Sequence, residues 1–198
     1  MPQLDNLMLS SPLWVNLLVV GIGAPVLEEI FYRKLVIDRL RGFGDLPAIL
    51  LSAVLFGLLH GNIPQFIYAT LMGLVFGYIY LYTGKLRYTI ALHMAVNLIG
   101  GVYTSEILKR LDLNAFAESG DPALLTEHLV PLLMYLAYFA FVCLCMVGAL
   151  VAVILFWKHV RFQKAQNPPT PRQWVKILLL NPGVWMLLFG VVLLFIPA

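Results

Sequence analysis

The chain has 198 residues, of which 61% are hydrophobic and 12% charged, about half the roughly 25% charge of an ordinary soluble domain. With a mean hydropathy of +0.89, that composition excludes a soluble globular protein, a disordered chain and a disulfide scaffold, and it points to an all-α, polytopic transmembrane helical bundle. The formal net charge is only +3, and its basic residues sit in short clusters between apolar runs, which suits membrane topology and gives nucleic-acid binding no support.

In chain order, six segments approach the roughly 20 apolar residues that a bilayer crossing needs: 12–36, 46–60, 63–82, 88–108, 128–157 and 174–197. No Lys or Arg precedes the first, and it runs into Glu28-Glu29 rather than a small-residue cleavage site, so a cleaved signal peptide is not expected. Turn chemistry separates the segments at Gly42-Phe43-Gly44-Asp45, at Gly61-Asn62 ahead of Pro64, and at Thr83-Gly84-Lys85. Asp121-Pro122 reads as an N-cap followed by proline at the first helical position. In the fifth segment, Cys143 and Cys145 are two apart and cannot face each other on a helix, so they read as packing or lipid-facing residues. A proline-rich linker over 167–171 leads to the sixth segment, which Asn181-Pro182-Gly183 interrupts; it reads either as a kinked span or as an interfacial helix plus a short insert. No internal repeat is evident, and residues 1–198 are expected to form a single integral membrane domain.

Eleven of the thirteen Lys and Arg residues fall in the first, third and fifth connections. Cytoplasmic loops carry such an excess, so these connections are expected in the cytoplasm and both termini outside.

Glu28 and Glu29 are the main anomaly, because a carboxylate at the centre of a membrane helix costs about 2.5–3.5 kcal/mol. Arg33 lies four residues after Glu29 and can pair with it on one helical face, whereas Glu28 points about 100° away, toward Phe31 and Tyr32. Pro25 removes the bond to the Gly21 carbonyl, which predicts a kink within Gly21–Pro25 that opens space beside the carboxylates. His60 ends an apolar run with Phe56 one turn earlier, and His93 has Asn97 one turn later on its own face. Measured from the cytoplasmic connections at roughly 1.5 Å per residue, Glu28, His60 and Asn97 reach comparable depths, with His93 nearer the cytoplasm. Two histidines, an amide and two carboxylates on three apolar segments look like one site.

In this order, the residues resemble the CPBP family of intramembrane proteases, which includes type II CAAX prenyl endopeptidases and bacterial bacteriocin-processing and immunity proteins. The family's Glu-Glu-x-x-x-Arg motif is matched by Glu28-Glu29-Ile30-Phe31-Tyr32-Arg33 after Ala24-Pro25, its Phe-x-x-x-His by Phe56 to His60, and its His-x-x-x-Asn by His93 to Asn97. Each motif alone is weak; together they cover about residues 22–101, the expected catalytic core. The last two segments match only in being hydrophobic.

The resemblance implies peptide-bond hydrolysis within the membrane by Glu28, Glu29, Arg33, His60, His93 and Asn97. A carboxylate in a low-dielectric cavity is a stronger base toward water, with His60 sharing or orienting that water, and His93 and Asn97 can donate to the oxyanion. In a second arrangement, His60, His93 and a carboxylate hold a divalent metal such as Zn²⁺. The family is often called metalloprotease, yet no His-Glu-x-x-His helix is present and a third strong ligand is not obvious, which favours the metal-free version. The expected partners are membrane lipid and a peptide or protein substrate, either prenylated or a bacteriocin-like precursor, reached from the cytoplasm. A non-catalytic scaffold or immunity protein is the alternative, and retention of the motif residues argues against it. A proton-coupled transporter would also use intramembrane Glu and His, but lacks support from any repeat.

Overall fold

A computed structural model of the chain describes residues 8–110, 122–165, 168–180, 185 and 189. These residues are overwhelmingly helical, with no strand among them, and the protein is a helical membrane protein. We number the helices α1 (Leu13–Phe43), α2 (Asp45–Leu59), α3 (Ile63–Thr83), α4 (residues 86–108), α5 (Pro122–Phe156) and α6 (Pro171–Leu180). Among the described residues, Leu13–Phe43, Ile63–Thr83 and His128–Gly148 are long and apolar enough to cross a membrane. α2 is apolar but has only 15 residues, and α6 is described as far as Leu180; Asn181-Pro182-Gly183 lies outside the described residues, as do Asp121 and most of the acidic stretch around it.

The chain divides into two compact units, one of Ala24–His93 with Phe162–Ala198, the other of Pro2–Gly23 with Met94–Arg161. In the first unit, α2 and α3 pack through small residues, which let backbones approach in a membrane where apolar burial alone gives no drive for association. Ala69, Gly73 and Gly77 recur every fourth residue on α3, and a Cβ at Gly73 would lie 2.9 Å from Ala53 Cα. This seam fixes α2 so that Ser52 and Phe56 meet the π-helical stretch Ile30–Ile37 of α1. Asn62 caps α3 by accepting from the Gln65 N–H at 2.9 Å. Gly84, at φ 64°, closes it in the left-handed conformation that glycine adopts without penalty.

In the second unit, the π-helical turns Leu17–Gly23 of α1 pack on Asn97–Tyr103 of α4, also π-helical. The first of these ends just ahead of Pro25, where the sequence predicts a break in regular α geometry. A π turn bonds residue i to i+5, so the Val20 carbonyl looks to residue 25 for a donor, and proline has none. Asn97 Nδ2 donates to that carbonyl instead, at 3.0 Å. Gly21 allows the approach: a Cβ there would lie 2.5 Å from Leu98 Cδ2. Asn97→Ala is therefore expected to cost about 0.5–1.5 kcal/mol, and less in a Pro25→Ala background, where the backbone donor is restored. A double-mutant cycle of unfolding free energies measures this; additive costs would mean that Pro25 is not what leaves Val20 in need of a partner.

Candidate active site

Glu29 and Arg33 lie one helical turn apart on α1, and both side chains are fully buried. Arg33 donates through Nε to Glu29 Oε2 at 2.9 Å and through Nη2 to Oε1 at 3.2 Å, the two-pronged geometry that makes arginine–carboxylate pairs strong. Its third contact runs from Nη1 to Ser52 Oγ at 3.1 Å, and Ser52 in turn donates to the Tyr32 carbonyl at 2.9 Å. The guanidinium carbon also lies 5.2 Å from the centroid of the Phe56 ring and 5.9 Å from that of Phe76, within cation–π range. A buried ion pair is tolerable only when its remaining hydrogen-bonding groups are satisfied, and these contacts provide that.

His93, 2% exposed on α4, meets both carboxylates. Its Nδ1 lies 3.0 Å from Glu29 Oε1 and its Nε2 lies 3.6 Å from Glu28 Oε2. Paired with its arginine, the Glu29 carboxylate accepts, so Nδ1 carries a hydrogen and donates it, and Nε2 is the nitrogen turned to Glu28. A constant rise per residue along parallel helices with level loops places His93 nearer the cytoplasm than Glu28, whereas the contacts join these residues directly.

Glu28 differs from Glu29 in having 23% of its side chain exposed and no arginine contact. His60, half-buried at the end of α2, places Nδ1 2.9 Å from the Phe56 carbonyl. A carbonyl only accepts, so Nδ1 bears the hydrogen and Nε2 is left as a base. The Phe56 ring stands edge-on to both histidines, with centroids 5.2 Å from His60 and 5.4 Å from His93, and fixes both imidazole planes. Glu28, Glu29, Arg33, His60 and His93 thus belong to one unit and one connected set of contacts. Asn97 belongs to the other unit, where its described contact is the Val20 carbonyl.

Ser52 and Phe76 are site residues that the sequence motifs do not mark. Ser52 had a usable signal: a lone hydroxyl in an apolar helix, one turn before Phe56, needs a partner across a helix interface. Phe76 had none, being one aromatic among many on α3. For zinc, no group of three or more His, Cys, Asp or Glu side chains among the described residues is arranged to hold a metal ion. His60 and His93 each hold Nδ1 against an oxygen acceptor, which leaves Nε2 as the remaining nitrogen of each ring.

Residues 10–99 match the family model described as "Type II CAAX prenyl endopeptidase Rce1-like". The chain is also 32% identical over 82 residues to YdiL of Bacillus subtilis (strain 168), which carries the description "Putative membrane peptidase"; the match takes in 41% of this chain and spans about a third, 34%, of that relative. No solved structure matches the chain. Over residues 10–99, then, the sequence is similar to that of type II CAAX prenyl endopeptidases, and over 82 residues to that of a membrane protein described as a putative peptidase.

Proposed function

We propose that the chain is an intramembrane endopeptidase that hydrolyses a peptide bond of a membrane-associated or lipidated peptide or protein, with Glu28 as general base. The observation that carries this reading is the division of labour between adjacent carboxylates. Glu29 is sealed by Arg33 and His93, while Glu28 is partly open, free of arginine and 3.6 Å from an imidazole nitrogen. That gap is slightly long for a direct hydrogen bond.

In this mechanism Glu28 takes a proton from the water as its oxygen attacks the scissile carbonyl carbon, and His60 Nε2 orients that water. The carbonyl oxygen becomes an oxyanion. His93 stabilises it by donating from Nε2, with Nδ1 held by the Glu29 carboxylate. Asn97, one turn further along α4, is the second donor in this reading, since Nδ2 keeps one hydrogen beyond its bond to Val20. The proton on Glu28 passes to the amide nitrogen as the C–N bond breaks, giving an amine and a carboxylic acid, and Glu28 is again a base. Glu29 and Arg33 act by position. The test is cleavage of a quenched peptide carrying an apolar segment by the reconstituted chain: cutting by wild type and not by Glu28→Gln supports the proposal, and equal behaviour of the two contradicts it.

The site is proposed to open toward the cytoplasm, on the strength of the basic residues in the odd connections. With Cys143 and Cys145 replaced by Ala, a single cysteine at Ser119 should react with a membrane-impermeant maleimide in intact cells, and one at Gly42 should not. The reverse pattern would invert the protein and move its substrates to the other side.

A further inference from the structure

Ser52, on α2, is fully buried, and the reaction proposed above makes no use of it. A serine hydroxyl has one hydrogen to give and two lone pairs to share. Its partners here fix the direction of each bond, since a guanidinium only donates and a carbonyl only accepts. Ser52 Oγ therefore accepts from Arg33 Nη1 at 3.1 Å and donates to the Tyr32 carbonyl at 2.9 Å. These partners are consecutive residues of α1, so one small side chain on α2 grips α1 both at a side chain and at its backbone. The backbone contact is the stricter of the two, because a carbonyl cannot follow a sliding neighbour by changing rotamer as a long arginine can.

Hydrocarbon gives packed helices little apolar drive to keep a register, and close packing and interhelical hydrogen bonds take over that task. Among the described residues, the other side-chain hydrogen bond between α1 and α2 joins Arg41 Nε to Asp45 Oδ1 at 3.3 Å. That bond ties the corner where one helix leads into the next, whereas Ser52 lies about two turns into α2. Ser52, Phe56 and His60 follow at four-residue intervals along one side of α2. Phe56 packs edge-on against Tyr32, with ring centroids 5.3 Å apart, and against His60 at 5.2 Å. One line of contacts thus runs from the Tyr32 residue of α1 along α2 to the His60 imidazole.

We propose that Ser52 is a positioning residue: its hydroxyl sets the register of α2 on α1 and thereby holds His60 at the water that Glu28 activates. The assignment rests on the roles given to Glu28 and His60 under the proposed function. Because Ser52 acts through geometry, its loss should lower turnover and leave peptide binding in place, as small misplacements of reacting groups do.

The full chain in bilayers allows two tests. With Cys143 and Cys145 replaced by Ala, nitroxides attached through Leu27→Cys and Leu59→Cys, at positions 69% and 42% exposed, report the spacing of α1 and α2 without any catalysis. Ser52→Ala should broaden the distribution of that spacing, and Ser52→Thr, which keeps a hydroxyl, should restore it. In turnover of the quenched peptide, Ser52→Ala should lower kcat by about ten- to a hundredfold with KM changed by less than about twofold. Ser52→Thr should recover most of that loss. Added to His60→Gln, the same Ser52→Ala change should lower kcat by less than about threefold further, because the group it positions is already gone. A role in stability alone would scale the active fraction alike in both backgrounds. An unchanged spacing in Ser52→Ala, full turnover in that variant, or a loss that multiplies in His60→Gln would each overturn the proposal. Wild-type turnover in His60→Gln would instead contradict the role given to His60, and the nitroxide spacing would still decide whether Ser52 sets the register.

Discussion

Glu28→Gln is expected to lower peptide turnover by about 10²–10⁴-fold, the usual contribution of a positioned general base, while leaving thermal unfolding and helix content near wild type. Glutamine keeps the volume and one acceptor oxygen but cannot take a proton from water. The side chain is partly exposed and makes no contact with Arg33, so the substitution leaves the buried ion pair intact. The same exchange at Glu29 should behave differently. It removes the charge that Arg33 and His93 both face, so stability and activity should fall together. Turnover and unfolding measured on both variants separate the roles, and near-normal turnover in Glu28→Gln would remove Glu28 from the chemistry.

Arg33→Ala should be the most destabilising single change, by about 3–5 kcal/mol, because it leaves a fully buried carboxylate without its cation. His93 Nδ1 remains on Glu29, but the Ser52 hydroxyl loses its arginine donor and the rings of Phe56 and Phe76 line the space left behind. Replacing both partners, Glu29→Gln with Arg33→Met, should recover much of the stability, since the pair is removed together with its desolvation cost. Activity should stay low in the double variant, because His93 then loses the carboxylate that sets its tautomer. Denaturation in detergent and turnover in bilayers read the two effects. Recovery of both would reduce the pair to a structural clamp, and indifference of both would contradict the contact itself.

The site was legible in sequence where local spacing carries the geometry. Glu29 and Arg33 are one turn apart, so their pairing needs only a helix, and Phe56 and His60 are related in the same way. Their polarity in apolar runs marked them because a membrane penalises such groups. What spacing could not supply was the partner of His93 across helices. Spacing relates it only to Asn97, one turn later, and the fold adds the carboxylates of Glu29 and Glu28 at its two nitrogens. Nor could spacing show that Asn97 serves the Val20 carbonyl, which depends on π turns that no hydrophobic period reveals. The helical membrane class followed from composition, and the expected segment 46–60 is met by the 15-residue helix Asp45–Leu59; most of the expected segment 174–197 lies outside the described residues.

The central claim is that Glu28 activates a water molecule without a metal, and isotope incorporation tests it most directly. The purified chain in bilayers is supplied with a quenched peptide in ¹⁸O-enriched water containing excess chelator, and the products are weighed by mass spectrometry. The account predicts cleavage at an undiminished rate, one ¹⁸O atom in the new carboxylate of the N-terminal product, and neither in the Glu28→Gln variant. Cleavage that vanishes with chelator and returns with zinc, or that proceeds equally in Glu28→Gln, would contradict it.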